Sequence, residues 1–325
     1  MILHIFMTTI MPILVMAVAG FVLDRRFQMD LDTLSKINFY IVCPAFLFIN
    51  TYQYRFSDST LDLVNLNIVI FVLTLIGALV LERLLRMTPE RAGILRNSIL
   101  FNNCGNIGVP LIIFIYSNTP YLDVAGSTPW LQAAIAVQII VFAFQNIVTN
   151  SFGFYFAGKG QLSSRDAVKL VFSMPIIYAV ILGLGLNQAN IDITHLFIWP
   201  ALENFSNALV MIALFTLGVQ LSRTPFQFFK RDVLVASFGR LVMGPGIALV
   251  CLWIYMSVLG YDLPAVSAQV MFISAAVPSG VNTALIAAAM HNNADFATQI
   301  VVATTVLSAI TLPGVIMLAN ILYAI

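Results

Sequence analysis

Asn102-Asn103-Cys104-Gly105-Asn106-Ile107-Gly108-Val109-Pro110 and Ala275-Ala276-Val277-Pro278-Ser279-Gly280-Val281-Asn282 are the two stretches on which the fold turns. Each interrupts a long apolar run, residues 91–117 and 264–291, with asparagine, glycine and proline. A helix broken in hydrocarbon leaves N–H and C=O groups without partners, at several kcal/mol each. Such a break survives only where protein or a wet cavity surrounds it. Both stretches are therefore read as site candidates, not as simple kinks.

Outward from the breaks, the chain of 325 residues is 60% hydrophobic and 9% charged. A soluble domain carries about 25% charged residues, so the bilayer is the main solvent of this chain. Segments long enough to span, about 20 residues each, are read at 3–24, 33–53, 64–86, 91–117, 129–156, 167–187, 196–221, 232–259, 264–291 and 296–324. Ten spans with short connections describe an all-α polytopic membrane protein and leave no room for an appended soluble domain. The phosphate-binding pattern G-x-x-x-x-G-K-[ST] is absent, so ATP-driven transport is not expected; neither H-E-x-x-H nor a pair of helix-embedded aspartates occurs, so an enzyme is not expected, nor is a nucleic-acid partner. The first segment has no basic residue before its apolar run and reads as a retained helix.

Basic residues cluster on the odd-numbered connections: Arg25, Arg26 and Lys36; Arg83, Arg86, Arg91 and Arg96; Lys159, Arg165 and Lys169; Arg223, Lys230 and Arg231. The even connections hold Arg55. Because basic residues near helix ends stay cytoplasmic, both termini are expected outside a cell (inner) membrane. Cys43, Cys104 and Cys251 fall within apolar segments, and His4, His195 and His291 are far apart. Neither set has metal-ligand spacing, and no metal site or organic cofactor is expected.

The ten spans divide into two fives, residues 1–160 and 161–325. Met11-Pro12-Ile13 followed by Gly20 in the first span matches Met174-Pro175-Ile176 followed by Gly183 in the sixth. The two breaks fall in the fourth span of each half. An odd number of spans per copy makes the copies inverted, and matched breaks in inverted repeats point to the binding site of a secondary transporter.

Two second half-helices starting near the midplane bring two N-termini together, each carrying about +0.5 charge. Such a place favours an anion, and the opposing C-terminal carbonyls offer a site for a cation such as sodium. The substrate candidates are Asn102, Asn103, Gly105, Asn106, Pro110, Pro278, Ser279, Gly280 and Asn282. Asn106 and Asn282 either hold a carboxylate or satisfy the broken backbone. In the fifth span Gln138, Gln145, Asn146, Thr149 and Asn150 fall near one helical face. With Thr304, Thr305 and Ser308 of the tenth, they are candidates for a polar or ion network or for interhelical packing. Glu203 is the carboxylate inside an apolar segment, a mark of function, although Pro200 places it near a helix start where a negative charge is favoured. Arg240 lies at a depth from which arginine can snorkel to the interface, or it supplies charge to an inner gate.

The stretches NNCGNIGVPLI, ALFTLGVQL, RLVMGP (Arg240 to Pro245) and AAVPSGVNTALIAA, with TLP at Thr311 to Pro313, resemble the auxin efflux carrier family over essentially the whole chain. The resemblance places the chain within the bile/arsenite/riboflavin-type transporter superfamily and implies a sodium/proton-antiporter-like fold. Helices 1, 2, 6 and 7 would form a scaffold and dimer side, so a homodimer is implied. Helices 3–5 and 8–10 would move as a transport domain, with helices 4 and 9 crossing at the substrate. Plant members carry an indole carboxylate, and bacterial ones are linked to small organic acids such as malate. Pro278 matches the family's crossover proline and Asn103 its substrate-facing asparagine. Asn102, where those carriers have proline, and Ser279, where they have a larger polar residue, depart from the pattern. The resulting expectation is an elevator-type carrier of a small organic carboxylate, with a sodium-coupled or proton-coupled symporter, or a channel or receptor on the same fold, as alternatives.

Overall fold

With no water to bond it, a spanning backbone must satisfy its own donors and acceptors, and this one does so as helix. The computed structural model describes residues 2–53, 60–157, 172–224 and 230–325. Arg55, Lys159, Arg165, Lys169, the start of the sixth apolar segment and the division between residues 160 and 161 lie outside these. In chain order the helices are α1 (Ile2–Phe27), α2 (Leu31–Gln53) and α3 (Thr60–Leu84), then α4 (Pro89–Leu100) and α5 (Cys104–Tyr116). They continue with α6 (Leu131–Ala157), α7 (Pro175–Gln188), α8 (Trp199–Asn207), α9 (Leu209–Ser222) and α10 (Arg231–Val258). The last are α11 (Ala265–Ala275), α12 (Val281–Ala289) and α13 (Ala294–Leu322).

Six of these helices are long and apolar enough to cross a bilayer, or seven if α8 and α9, bent by 40° to each other, form one span. The fourth and ninth apolar segments are split by their asparagine, glycine and proline runs into α4–α5 and α11–α12, so neither half reaches spanning length alone. The split of the seventh segment has no glycine or proline behind it. There the Ala208 N–H is shared between the carbonyls of Asn204 and Phe205, both at 3.2 Å, which tightens and ends α8.

Proline shapes several helices in one way. Pro12, Pro44, Pro110 and Pro245 each come two residues after a π-helical turn, at Phe6–Ile10, Asn38–Val42, Cys104–Gly108 and Gly239–Met243. Proline has no N–H and its ring crowds the carbonyl four residues back, and a widened turn relieves both problems. Pro313 instead sits inside the continuous helix α13.

The helices associate in two groups. In one, α1 packs on α9 and α2 on α7, at distances that only glycine permits. A Cβ on Gly20 would lie 2.1 Å from the Phe215 carbonyl oxygen, and one on Gly218 would lie 1.8 Å from that of Ala17. Gly183 likewise meets Thr51 Oγ1 at 2.1 Å and the Phe48 carbonyl. Between hydrocarbon-embedded helices such close approach supplies the attraction that lipid does not. The second group is α3 to α6 with α10 to α13. Ion pairs Arg91–Asp232 and Arg96–Glu82, each 2.9 Å, tie its ends. Arg223 forks onto the buried Asp24 at 2.6 and 3.1 Å, joining α1 to the end of α9.

Gly218→Ala is expected to lower the thermal midpoint of the purified protein, since overpacking of this kind costs about 1–3 kcal/mol. Gly185→Ala, with no atom within 4 Å of the added methyl, serves as the control and should leave the midpoint unchanged or slightly raised.

Candidate functional site

α4 ends at Leu100 and α11 at Ala275, and the two extended segments that follow meet each other. Asn102 and Ser279 form an antiparallel bridge. The Asn103 N–H donates to the Pro278 carbonyl and the Gly280 N–H to the Phe101 carbonyl, both at 2.8 Å. The contact is close enough that a Cβ on Gly280 would stand 3.0 Å from the Asn102 carbonyl oxygen. Pro278 gives up no needed donor, because only its carbonyl is used. Ser279 is fully buried; its hydroxyl donates to the Ser98 carbonyl at 2.6 Å, and its N–H donates to Thr304 Oγ1 at 3.2 Å.

The last carbonyls of the two first half-helices are capped by side chains. Arg240, 3% exposed, donates from Nη1 to the Ile99 carbonyl at 2.6 Å and from Nη2 to the Ala275 carbonyl. The snorkelling orientation is thereby corrected: the guanidinium points inward, because two helix C-termini converge there and the interface offers it nothing comparable. Asn102 Nδ2 donates to the Ser274 carbonyl at 2.9 Å, and Gln145 Nε2 makes a long 3.5 Å contact to that of Leu100.

The second half-helices begin with free donors. The N–H groups of Cys104, Gly105, Asn106, Val281 and Asn282 have no carbonyl partner among the described residues. All five residues line a cavity of about 270 Å³ between the crossing and helices α2 and α9. Asn102, Asn103, Gly280, Gln145, Asn146 and Thr149 line it as well. Among the polar atoms of the lining residues, Asn103 Nδ2, Thr216 Oγ1 and Gln220 Oε1 are buried without a partner. None of the lining residues is acidic, and the lining reaches the exposed Lys36, which is paired with Asp32 at 2.5 Å.

The remaining candidates lie off the cavity wall. Pro110 is buried in the first turns of α5. Gln138 sits behind the crossing, donating to the Cys104 carbonyl at 3.1 Å and accepting from the Ser274 hydroxyl at 2.5 Å. Thr305 and Ser308 turn back onto α13, bonding the carbonyls of Val301 and Thr305 at 2.7 Å. Thr304 alone of that trio reaches the crossing. Glu203 is exposed on α8, where it accepts from Trp199 Nε1 at 2.7 Å, and takes no part in the cavity.

Lys36, Asn38, Thr216 and Gln220 were not anticipated at the site. Thr216 and Gln220, four apart in an apolar segment, carried a legible signal as one polar helix face. Asn38 carried none; its π-turn aims Nδ2 at Asn106 Oδ1, 3.0 Å away on the crossing. The far end of α5 is tied down by a buried polar network. Tyr116 and Tyr121 donate to Gln269 Oε1 at 2.7 and 2.9 Å, and Gln269 Nε2 donates to the Tyr323 carbonyl at 2.6 Å. His4 Nε2 meets Thr119 Oγ1 at 2.7 Å nearby. No group of His, Cys, Asp and Glu that would hold a metal occurs among the described residues.

Gly280→Ala should loosen the bridge, because the added methyl presses on the Asn102 backbone. The expected outcome is a lower thermal midpoint with the secondary structure retained, measured by melting and circular dichroism.

Compared with known proteins, residues 5–316 match the family described as membrane transport protein, which is the auxin efflux carrier family. The match covers nearly the whole chain. No curated protein matches.

Proposed function

The chain belongs to the auxin efflux carrier family of membrane transport proteins, and from that premise we propose that it carries a small organic carboxylate, bound where α4–α5 and α11–α12 cross. The observation that carries this reading is the unpartnered Asn103 amide beside two uncapped helix starts, in a cavity without an acidic residue. Two helix N-termini together present about one positive charge, which matches one carboxylate. Hydrogen bonds from fixed N–H groups to a charged oxygen are the strong kind. A volume of about 270 Å³ lies at the small end for ligand pockets and suits a compact acid.

In this reading α1, α2, α7 and α9 are a scaffold, and the second group of helices is a transport domain that moves past it as an elevator. Glycine-tight packing within the first group supports a rigid frame. The two groups meet through shared apolar clusters and, across the cavity, through the bond from Asn38 to Asn106. The buried polar network at Tyr116, Tyr121 and Gln269 favours a carrier over an open channel. The inverted five-plus-five arrangement is supported by the reciprocal bonds of the crossing. Gly20 and Gly183, at matching sequence places, also take the same close-packing role. The cavity reaches Lys36, on the connection side rich in basic residues, so the conformation is an inward-facing one in a cell membrane with both termini outside. A pair of chains would associate through the scaffold side.

The test is a thermal-shift screen of purified protein against small mono- and dicarboxylates, followed by uptake into proteoliposomes. A bound acid raises the midpoint by mass action. Asn103→Ala should weaken binding of the acid by roughly 10- to 100-fold, the worth of one hydrogen bond to a charged group, with folding unchanged. Normal binding in Asn103→Ala and in Asn282→Ala would displace the site from the crossing.

A further inference from the structure

Arg240 is a buried cation with no carboxylate: no ion pair among the described residues involves it. An uncompensated guanidinium inside a membrane protein is costly, so its charge must be met in another way. The two helix C-termini it caps carry about −0.5 each, and together they balance one positive charge.

Six carbonyls at the crossing are held by donors of the chain. Ser98 accepts from Ser279, Ile99 and Ala275 from Arg240, Ser274 from Asn102, Phe101 from Gly280 and Pro278 from Asn103. A metal cation such as sodium binds through several oxygens at once, and at the two helix C-termini the Ile99 and Ala275 carbonyls are already held by Arg240. We propose that Arg240 is a tethered cation that permanently occupies the place where a coupling sodium ion would bind, so that this chain holds its crossing together and loads its anion without one. The proposal concerns the site of the carrier reading and rests on that reading only for its consequence in transport.

The guanidinium also extends toward the substrate side. Arg240, Asn102 and Gln145 share a second cavity of about 40 Å³. Its unpartnered polar atoms are Arg240 Nε, Asn102 Oδ1 and Gln145 Oε1. Asn102 and Gln145 also line the larger cavity, so Arg240 borders two residues of the anion site.

The test uses the full-length purified protein and needs no carboxylate, so it stands or falls separately from the carboxylate screen. Wild-type thermal midpoints are compared in sodium, potassium and choline chloride at equal ionic strength, and the same midpoint is expected in all three. Arg240→Ala is expected to melt several degrees lower and to regain much of that loss in millimolar guanidinium, which refits the vacated carbonyls. Arg240→Lys, a point charge that reaches fewer carbonyls, should fall between the two. A saturable sodium-specific rise of the wild-type midpoint would overturn the proposal, as would an Arg240→Ala protein as stable as wild type or indifferent to guanidinium. Should Arg240→Ala not fold, the wild-type salt series and Arg240→Lys decide the matter. In proteoliposomes loaded with a transported acid, uptake that needs a sodium gradient would count against it as well.

Discussion

Two backbone hydrogen bonds, exchanged reciprocally between the segments that interrupt α4–α5 and α11–α12, are what allow this chain to be irregular in the middle of a membrane. Asn103 to Pro278 and Gly280 to Phe101 give each break the partner that hydrocarbon withholds. Neither break is sustainable alone, since the donors and acceptors of one are satisfied by the other. The glycine at 280, the buried serine at 279 and the arginine brought in from α10 all serve that mutual satisfaction. The cavity exists because the pairing uses up one pole of the crossing and leaves the other pole, the helix starts, uncapped.

The same division separates what was legible in the sequence from what was not. The interrupted stretches, the apolar run lengths and the family likeness are local properties, and Asn102, Asn103, Gly105, Asn106, Gly280 and Asn282 are drawn together as cavity lining. Depth and direction are not local. Arg240 was visible as a charge in an apolar run, but its inward orientation depends on carbonyls 141 and 35 residues away. Glu203 showed the opposite case: a carboxylate in an apolar segment that finds an indole N–H on its own helix and faces outward. Asn38 was unreadable because nothing in its neighbourhood announces that a widened turn aims it at another helix.

The two groups of helices hold together by different physics. α1 with α9, and α2 with α7, approach closely at glycines, Gly20 and Gly218 against bare backbone and Gly183 against Thr51 and the Phe48 carbonyl. The crossing relies on hydrogen bonds, most of them internal to the second group. Between the groups run the bonds of Asn38 with Asn106 and of His4 with Thr119.

The π-helical turns carry a consequence for how the chain tolerates length changes. Asn38, Asn106 and Arg240 all lie in such turns, and each turn holds one residue more than an α-helix closes over. Everything beyond it is thereby rotated about the helix axis relative to what precedes it. Loss of a single residue from one of these turns would heal the helix, improve its local regularity and at the same time swing the site residue off the crossing by roughly a quarter of a turn. The geometry of the crossing is thus encoded partly as a count of residues, and a shortening that makes the helix more regular would be the one that disturbs it.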